Sequence, residues 1–324
     1  MSLYSATIIS QGTSYPNELT GSLYQFIEDT PGVLFHSIHN LAETKAIDFI
    51  VQLEHEADQK EVVASITPKF KQFAQDFNAK KEKKDRIDLI LQPHEGRKDK
   101  KLFIFDMDST LITQEVIEMI AGYAGVEDKV REITEAAMRG ELDFNQSLAQ
   151  RVGLLRGIES EKLWDELESR LIVTPGAPEL TKGLKKLGIT LGVLSGGFIP
   201  LANRLKKKLG LDYAFANNLK VETDSNTGKE VLSGETFGEI VNGDKKAELL
   251  QRIAKENGID VKNAVAVGDG ANDLKMMGVA GWGIAWNAKP KVQEEAQCAL
   301  NSTSLRDVFY ILGYSDPEIE DLIK

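Results

Sequence analysis

Apolar runs that stop abruptly at polar or glycine residues recur along the C-terminal two thirds of the chain. The runs are Phe103–Phe105, Ile189–Leu194 and Ala264–Val267. A short, uninterrupted apolar run bounded by turn residues predicts a strand buried on both faces of a parallel sheet. Because open α/β sheets carry their chemistry at the carboxyl ends of the strands, the polar residues that follow these runs are candidates for an active site.

Two aspartates spaced by one residue, Asp106 and Asp108, follow the first run. Two carboxylates at one strand end repel each other by about 4 kcal/mol at 4 Å and an effective dielectric constant of 20. They therefore require a cation or a shared proton. A carboxylate can act as a nucleophile, and a neighbouring carboxyl can serve as its acid and base. The alternative interpretation is an acidic turn without chemistry.

The second run leads into Ser195-Gly196-Gly197, and a helix is predicted over Ile199–Leu209. Backbone N–H groups in a turn of this kind suit phosphate oxygens. Taken alone, the pattern is more typical of an ordinary strand-to-helix loop.

Lys246 lies in the first turn of an amphipathic helix that is predicted to begin near Asp244. A cation in the first turn opposes the helix dipole, so it needs another reason to be there. A bound phosphate would be one reason. The alternative is a lysine that is simply solvated.

The third run leads into Gly268-Asp269-Gly270-Ala271-Asn272-Asp273. If a helix begins at Ala271, the carboxylates of Asp269 and Asp273 converge on one point beside the strand end. Oxygen donors without a neighbouring His or Cys suit Mg²⁺ rather than zinc. The sequence therefore predicts a magnesium site, since so many acids at two strand ends would otherwise destabilise the fold.

The N-terminal residues 1–92 show a different pattern and are predicted to form a separate domain. The predicted elements are, in order, a strand Tyr4–Ser10, a helix Glu18–Glu28, strands Val33–Ile38 and Ala46–Leu53, a helix Gln59–Phe77 and a strand Ile87–Leu91. This βαββαβ order indicates an α+β domain with a ferredoxin-like arrangement. Residues 93–101 are the predicted linker. Residues 102–324 are the predicted α/β domain, with a helical insertion over about 112–174.

Composition limits the classes of function. A chain of 324 residues with a net charge of −11 is long enough for two domains and argues against nucleic-acid or anionic membrane surfaces. The charge runs at 80–84 and 93–101 are therefore expected to be solvent-exposed. A single cysteine, Cys298, excludes an intramolecular disulfide and is expected to be buried. No apolar stretch is long enough to span a bilayer and no cationic leader is recognised, so we expect a cytoplasmic protein.

The motifs taken together, in this order, resemble those of the haloacid dehalogenase-like phosphatases. The resemblance implies a Rossmann-like doubly wound parallel sheet with a helical cap. It implies a nucleophile at Asp106, an acid and base at Asp108, and Mg²⁺ held by Asp106, the backbone carbonyl of Asp108, Asp269 and Asp273. It also implies contacts to the phosphate, which would come from Ser195, Gly196, Lys246 and Asn272.

The cap, with its segments at 134–140 and 144–152, resembles that of the phosphoserine phosphatase group. This implies hydrolysis of O-phospho-L-serine, the last step of serine biosynthesis. Glu115 would face the ammonium group and Arg151 the carboxylate, while Met138 and Phe144 would cover the substrate. Composition alone favours solvated helix charges for Glu115 and Arg151, and Met138 and Phe144 could be cap core.

The element order of residues 1–92 resembles an ACT domain, a small-molecule sensing module. The resemblance implies serine binding there, or a role in forming a homodimer, and the sequence does not choose between them. Two alternatives for the whole chain also stay open. One is a phosphatase of another small phosphomonoester, such as phosphohomoserine or a sugar phosphate. The other is a non-catalytic amino-acid sensor on the same scaffold.

Overall fold

The structure, a computed structural model, describes residues 2–53 and 59–324, without the side chains of residues 59–63 and 138. The strands are, in chain order, β1 (Leu3–Ser10), β2 (Val33–Ala42), β3 (Ala46–Leu53), β4 (Ile87–Pro93), β5 (Leu102–Phe105), β6 (Thr190–Phe198), β7 (Tyr213–Thr223), β8 (Glu230–Phe237), β9 (Ala264–Gly268), β10 (Trp282–Trp286) and β11 (Cys298–Leu300). The helices are α1 (Glu18–Glu28), α2 (Gln59–Asn78), α3 (Val116–Ala124), α4 (Glu127–Met138), α5 (Phe144–Gly153), α6 (Leu163–Arg170), α7 (Ala177–Lys186), α8 (Ile199–Leu209), α9 (Gly243–Glu256), α10 (Leu274–Val279), α11 (Pro290–Glu295), α12 (Val308–Ile311) and α13 (Asp316–Ile323).

Contacts between residues divide the chain into two compact units. The first contains Met1–Lys100, Pro175–Leu187 and Cys298–Lys324, and the second contains Lys101–Thr174 and Gly188–Gln297. The domain boundaries expected from the sequence placed the two short segments of the first unit with the α/β domain. Cys298–Lys324 groups with the N-terminal residues through hydrogen bonds to the N-terminal sheet, as described below. Pro175–Leu187 is joined in turn to this C-terminal segment, since Pro175 accepts from the backbone N–H of Leu305 and Lys182 and Lys186 donate to the carbonyls of Lys324 and Asp321.

The first unit contains an antiparallel sheet in the order β2-β3-β1-β4. The elements follow one another as strand, helix, strand, strand, helix and strand, which is the order the sequence predicted. One face of the sheet presents Tyr4, Ala6 and Ile8, which belong to a core cluster with Leu23 of α1 and Phe70 of α2. Burying these apolar side chains is the main stabilising contribution to this part of the unit.

Polar side chains on β1, β3 and β4 are also buried, and they are joined in hydrogen-bonded groups. The carboxylate of Asp88 accepts hydrogen bonds from the Gln11 side chain (2.9 Å) and from the backbone (2.6 Å) and side chain (2.9 Å) of Asn301. The carboxylate of Asp48 accepts from the Thr7 hydroxyl (2.6 Å) and from Arg97 (2.8 Å). Paired in this way, buried polar groups fix one arrangement of the residues that surround them.

One residue of the linker contradicts its predicted exposure. Lys98, Asp99 and Lys101 of the charge run at 93–101 are solvent-exposed as expected, but Arg97 is buried with its guanidinium 2.8 Å from the carboxylate of Asp48. The physical reason is the partner: a guanidinium leaves water when a buried carboxylate offers it a charge-assisted hydrogen bond. The burial of Cys298 is as expected.

The strands of the second unit lie in the order β10-β9-β5-β6-β7-β8. The pairings from β10 to β7 are parallel, and β8 forms an antiparallel hairpin with β7. Phe105 of β5 pairs with Val193 of β6 and with Val267 of β9. The carboxyl ends of these three strands therefore lie side by side, which brings together the three sequence motifs that follow them.

Helices α3 to α6 form the insertion between β5 and β6. A single antiparallel bridge between Ile112 and Val173 joins the two ends of the insertion. The insertion is predicted to be helical, but residues 154–162 are not: turns at 154–157 and 161–162, with Gly157 at φ 86°, flank an isolated bridge between Glu159 and Val231. Among the described residues, no helix is both long enough and apolar enough to cross a membrane.

Candidate active site

The end of β5 places Asp106 at the centre of the carboxyl edge of the sheet. Its backbone N–H donates to the carbonyl of Val267 (2.9 Å), and its carboxylate accepts from the backbone N–H of Met107 (2.8 Å). The chain then turns sharply, with Ser109 at φ 53°, a left-handed conformation that few residues other than glycine adopt. This turn sends the side chains of Asp106 and Asp108 in different directions.

Lys246 is completely buried in the first turn of α9. Its ammonium group lies 2.7 Å from a carboxylate oxygen of Asp106 and 2.7 Å from one of Asp273. Burial alone would lower the pKa of Lys246, but the two carboxylates outweigh it and raise the pKa above its usual range. Two acids therefore compensate the cation in this first helical turn, and the contact of Lys246 with a phosphate stays a prediction.

Asp106, Asp269 and Asp273 each offer a carboxylate oxygen to one small region, and these oxygens lie within 4.8 Å of one another. Gly268 permits this approach, because a Cβ atom there would lie 2.4 Å from the Asp273 carboxylate. Burial and the charge of Asp273 raise the pKa of Asp269 to about 7. A set of carboxylate oxygens held this closely fits a hard divalent cation, which would relieve the repulsion between them.

Asp108 has partners different from those of Asp106. One of its carboxylate oxygens accepts from the backbone N–H of Val116 at the start of α3 (2.7 Å), and the other accepts from the Ser195 hydroxyl (3.1 Å). Burial raises the pKa of Asp108, while these two hydrogen bonds oppose the rise. Burial together with the charge of Asp273 raises the pKa of Asp106, and Lys246 opposes that rise.

Ser195, Gly196 and Gly197 form a bulge in β6. The strand pairs with β7 at Leu194 and again at Phe198, but not at the residues between. A Cβ atom on Gly196 would lie 2.8 Å from the Phe144 ring, and one on Gly197 would lie 2.7 Å from the Asp108 carboxylate. Both glycines are therefore required by close approach of other side chains, one from the cap and one from the active-site acid.

The cap brings Phe144, Glu115 and Arg151 to the site. The Phe144 ring lies against Gly196, and Glu115 accepts a hydrogen bond from the Ser109 hydroxyl (2.7 Å). Partial desolvation and the charge of Asp108 raise the pKa of Glu115 to about 7. Desolvation lowers the pKa of Arg151, while the charges of Glu115 and Asp108 oppose this, so the guanidinium lies within their electrostatic reach.

Met138 and Asn272 are the remaining predicted site residues. Met138 is the final residue of α4, and its side chain lies outside the described residues. Asn272 lies in the turn between Asp269 and Asp273, and its backbone packs closely against Gly243 at the start of α9.

Several polar residues that support the site were not predicted. The Thr110 hydroxyl donates to Asp269 (3.4 Å), and the Asn242 side chain accepts from the backbone N–H of Lys245 (3.0 Å), which caps α9. The buried side chain of Asn217 bonds both Gly196 and Val241. Asn242 could have been found as a helix cap preceding Gly243, whereas Asn217 is one of several polar residues in β7 and nothing local distinguishes it.

Comparison with known proteins supports the motif analysis. A family model described as haloacid dehalogenase-like hydrolase matches residues 100–281. The phosphoserine phosphatase of Saccharomyces cerevisiae is 44% identical over 322 residues, which covers 98% of this chain and 99% of that protein. This chain belongs to the haloacid dehalogenase-like hydrolases. Within them it belongs to the phosphoserine phosphatases, as the resemblance in the motifs and the cap predicted.

Two solved structures of this group are similar to about two thirds of this chain. One is described as a phospho-aspartyl intermediate analogue of phosphoserine phosphatase, with 46% identity, a TM-score of 0.60, and coverage of 65% of this chain and 98% of that one. The other is a substrate-bound phosphoserine phosphatase complex, with 45% identity, a TM-score of 0.60, and coverage of 65% and 97%. Phosphatases of this family use a divalent metal, which agrees with the three clustered carboxylates described above.

The burial of Lys246 between two acids predicts a large effect on stability. Lys246→Met should lower the free energy of unfolding, measured by urea denaturation in EDTA, by about 3–5 kcal/mol, because it leaves two buried carboxylates without their cation. Lys245→Met is the matched control, since Lys245 pairs with Glu239 and Glu248 at the surface, and it should cost less than about 1 kcal/mol. Equal effects of the two variants would contradict the assigned pairing.

Proposed function

We propose that this phosphatase hydrolyses O-phospho-L-serine to L-serine and phosphate through a phosphorylated Asp106. The observation that carries the proposal is the pair of acids at the end of β5, which lie in different environments. Asp106 faces Lys246 and the other clustered carboxylates, and Asp108 faces Ser195 and the start of α3. Two carboxyls with different surroundings can hold different protonation states, as acid and base roles require.

In the first step, a carboxylate oxygen of Asp106 attacks phosphorus, and the bond between phosphorus and the serine oxygen breaks. Asp108, in its protonated form, donates its proton to the departing oxygen, so L-serine leaves as the alcohol. The raised pKa of Asp108 supports this assignment, because a carboxyl must hold a proton before it can donate one. One relative has been solved as an analogue of the phospho-aspartyl intermediate that this step would produce.

In the second step, the oxygen of a water molecule attacks phosphorus while Asp108 removes a proton from that water molecule. The bond between phosphorus and Asp106 breaks, which releases inorganic phosphate and restores the Asp106 carboxylate. Asp108 ends the cycle protonated, so protons and bonds balance over the two steps. Lys246, Ser195, Gly196 and Asn272 would hold the phosphoryl oxygens, as preorganised donors do in phosphoryl transfer.

We propose Mg²⁺ as the divalent cation, held by Asp106, Asp269, the backbone carbonyl of Asp108, and Asp273 as a supporting group. The donors are oxygen atoms, which suit Mg²⁺, and it would supply positive charge beside the phosphoryl group. Lys246 supplies a second positive charge, 2.7 Å from Asp106.

Recognition of the amino-acid part of the substrate is assigned to the cap. Arg151 would bind the carboxylate of phosphoserine, since a planar guanidinium can donate two parallel hydrogen bonds to it. Glu115 would bind the ammonium group, and Phe144, which lies against Gly196, would close the site above the phosphate. Met138 is proposed to cover the substrate from the end of α4.

The nucleophile can be tested directly. Asp106→Asn should lower the turnover of phosphoserine in the presence of Mg²⁺ by a factor of about 10⁴ or more, because the amide cannot form the intermediate. Mass spectrometry of acid-quenched wild-type protein should locate phosphate on the peptide that contains residue 106. Asp128→Asn, an exposed aspartate of the cap, is the control and should keep full activity. Wild-type protein without turnover would favour the sensor alternative.

Substrate class can be tested at Arg151. Arg151→Ala should cut kcat/KM for phosphoserine by about 100-fold, while a phosphate monoester without a carboxylate should be affected far less. Arg156→Ala is the control, because Arg156 lies in the same insertion but pairs with Glu222 at the surface. Equal losses on both substrates would refute the assigned role and would favour another phosphomonoester, such as phosphohomoserine or a sugar phosphate.

For residues 1–92 we propose a ferredoxin-like, ACT-like domain that binds serine, with a homodimer as the assembled state. The element order and the β2-β3-β1-β4 sheet support the domain assignment. Sedimentation equilibrium of the full chain should give twice the monomer mass, and isothermal titration with L-serine should show a second binding event that persists in Arg151→Ala. A monomer, or loss of all serine binding in that variant, would refute the respective part of this proposal.

A further inference from the structure

The bulge formed by Ser195, Gly196 and Gly197 lacks the regular support of a strand ladder. Leu194 pairs with Phe215 and Phe198 pairs with Asn217, so three residues of β6 lie opposite a single intervening residue of β7. Bulged residues lose ladder hydrogen bonds, yet buried backbone groups need partners. The side chain of Asn217 supplies one of these partners.

Asn217 is completely buried and bridges two backbone groups from different segments. Its side-chain N–H donates to the carbonyl of Gly196 (2.8 Å), and its side-chain oxygen accepts from the backbone N–H of Val241 (2.8 Å). Each partner can act in only one way, since a backbone carbonyl accepts and a backbone N–H donates. This position therefore requires a side chain that carries both a donor and an acceptor, and the primary amide of asparagine supplies both.

The peptide unit that Asn217 holds is the one that orients the Ser195 hydroxyl. Its carbonyl belongs to Gly196, and its N–H, from Gly197, donates to the Ser195 hydroxyl oxygen (2.8 Å). Rotation of this peptide would move the N–H away from Ser195. Fixing the carbonyl of Gly196 therefore also fixes the direction in which the hydroxyl can donate.

The Ser195 hydroxyl in turn donates to the carboxylate of Asp108 (3.1 Å). A continuous series of hydrogen bonds thus leads from Val241, one residue before the cap of α9, through Asn217 and the peptide between Gly196 and Gly197 to the acid of the reaction. The other carboxylate oxygen of Asp108 accepts a hydrogen bond from the backbone N–H of Val116. Loss of the Ser195 contact would leave the carboxyl fixed on one side only.

We propose that Asn217 is a positioning residue, which aligns Asp108 for proton donation through the Gly196–Gly197 peptide and Ser195. The inference rests on the proposed function, because it takes Asp108 as the proton donor to the departing serine oxygen. Asn217 itself does not contact Asp108, so its effect should appear only in the step that needs the proton. This separates it from a residue that only stabilises the sheet.

The leaving group provides the test. Serine leaves as a strongly basic alkoxide unless it is protonated, whereas p-nitrophenolate leaves without a proton. Asn217→Leu, which has nearly the same shape and neither hydrogen-bonding group, should lower kcat/KM for phosphoserine by about 100-fold. For p-nitrophenyl phosphate the loss should be less than about threefold, since general acid catalysis contributes little to that substrate.

Two further variants keep the result interpretable. Asn217→Asp keeps the acceptor for Val241 but, when ionised, loses the donor to Gly196, so it should show the same difference between substrates even if Asn217→Leu folds poorly. Asn257→Leu is the matched control. Asn257 follows α9, and its side chain donates to the hydroxyl of Tyr213 at the start of β7, whereas the bulge lies opposite Ala216. This variant should leave both substrates unaffected.

The outcomes are distinguishable. Equal losses on the two substrates in both Asn217 variants would overturn the positioning role and leave a structural one. Unchanged activity in both variants would also overturn it. If wild-type protein failed to hydrolyse phosphoserine with Mg²⁺, the proposed function itself would fail, independently of Asn217. A loss confined to phosphoserine, absent in Asn257→Leu, would support the inference.

Discussion

The buried ion pairs of Lys246 with Asp106 and Asp273 are the interaction on which the rest of the site depends. The sheet brings acidic residues from two strand ends together, and their mutual repulsion would oppose folding if they were left alone. A fully buried ammonium group 2.7 Å from two of them offsets part of that repulsion. Removing water from a lysine is itself unfavourable, so this arrangement holds only because both carboxylates contact it.

The same constraint separates the roles of the two acids at the end of β5. Asp106 takes part in the charged cluster, while the turn at Ser109 directs Asp108 towards Val116 and Ser195, which are neutral donors. Burial raises the pKa of both carboxyls; beyond burial, charges act most on the pKa of Asp106 and hydrogen bonds act most on the pKa of Asp108. A short, strained turn thus produces the chemical asymmetry that a two-step phosphoryl transfer requires.

Much of this could be predicted from the sequence because the signals are local. Apolar runs gave the strands, and the residues directly after them gave Asp106, Ser195 and Asp269 at one sheet edge. Features that depend on distant partners were not predictable. Arg97 is buried because Asp48, 49 residues away, accepts its hydrogen bond, and the bulge in β6 is visible only in its pairing with β7. Local composition carries no information about either partner.

The first unit is built from segments that are far apart in the chain, and this affects how the protein folds during synthesis. Asp88 on β4 receives hydrogen bonds from Asn301, which is synthesised 213 residues later, and Gln92 donates to the carbonyl of Ile311. The N-terminal sheet can form early on the ribosome, but Asp88 and Gln92 must wait for these partners until residues 301–311 have emerged. During that interval the carboxylate of Asp88, which is buried in the finished fold, is exposed to water, so this unit is completed only after the segment Cys298–Lys324 has been made.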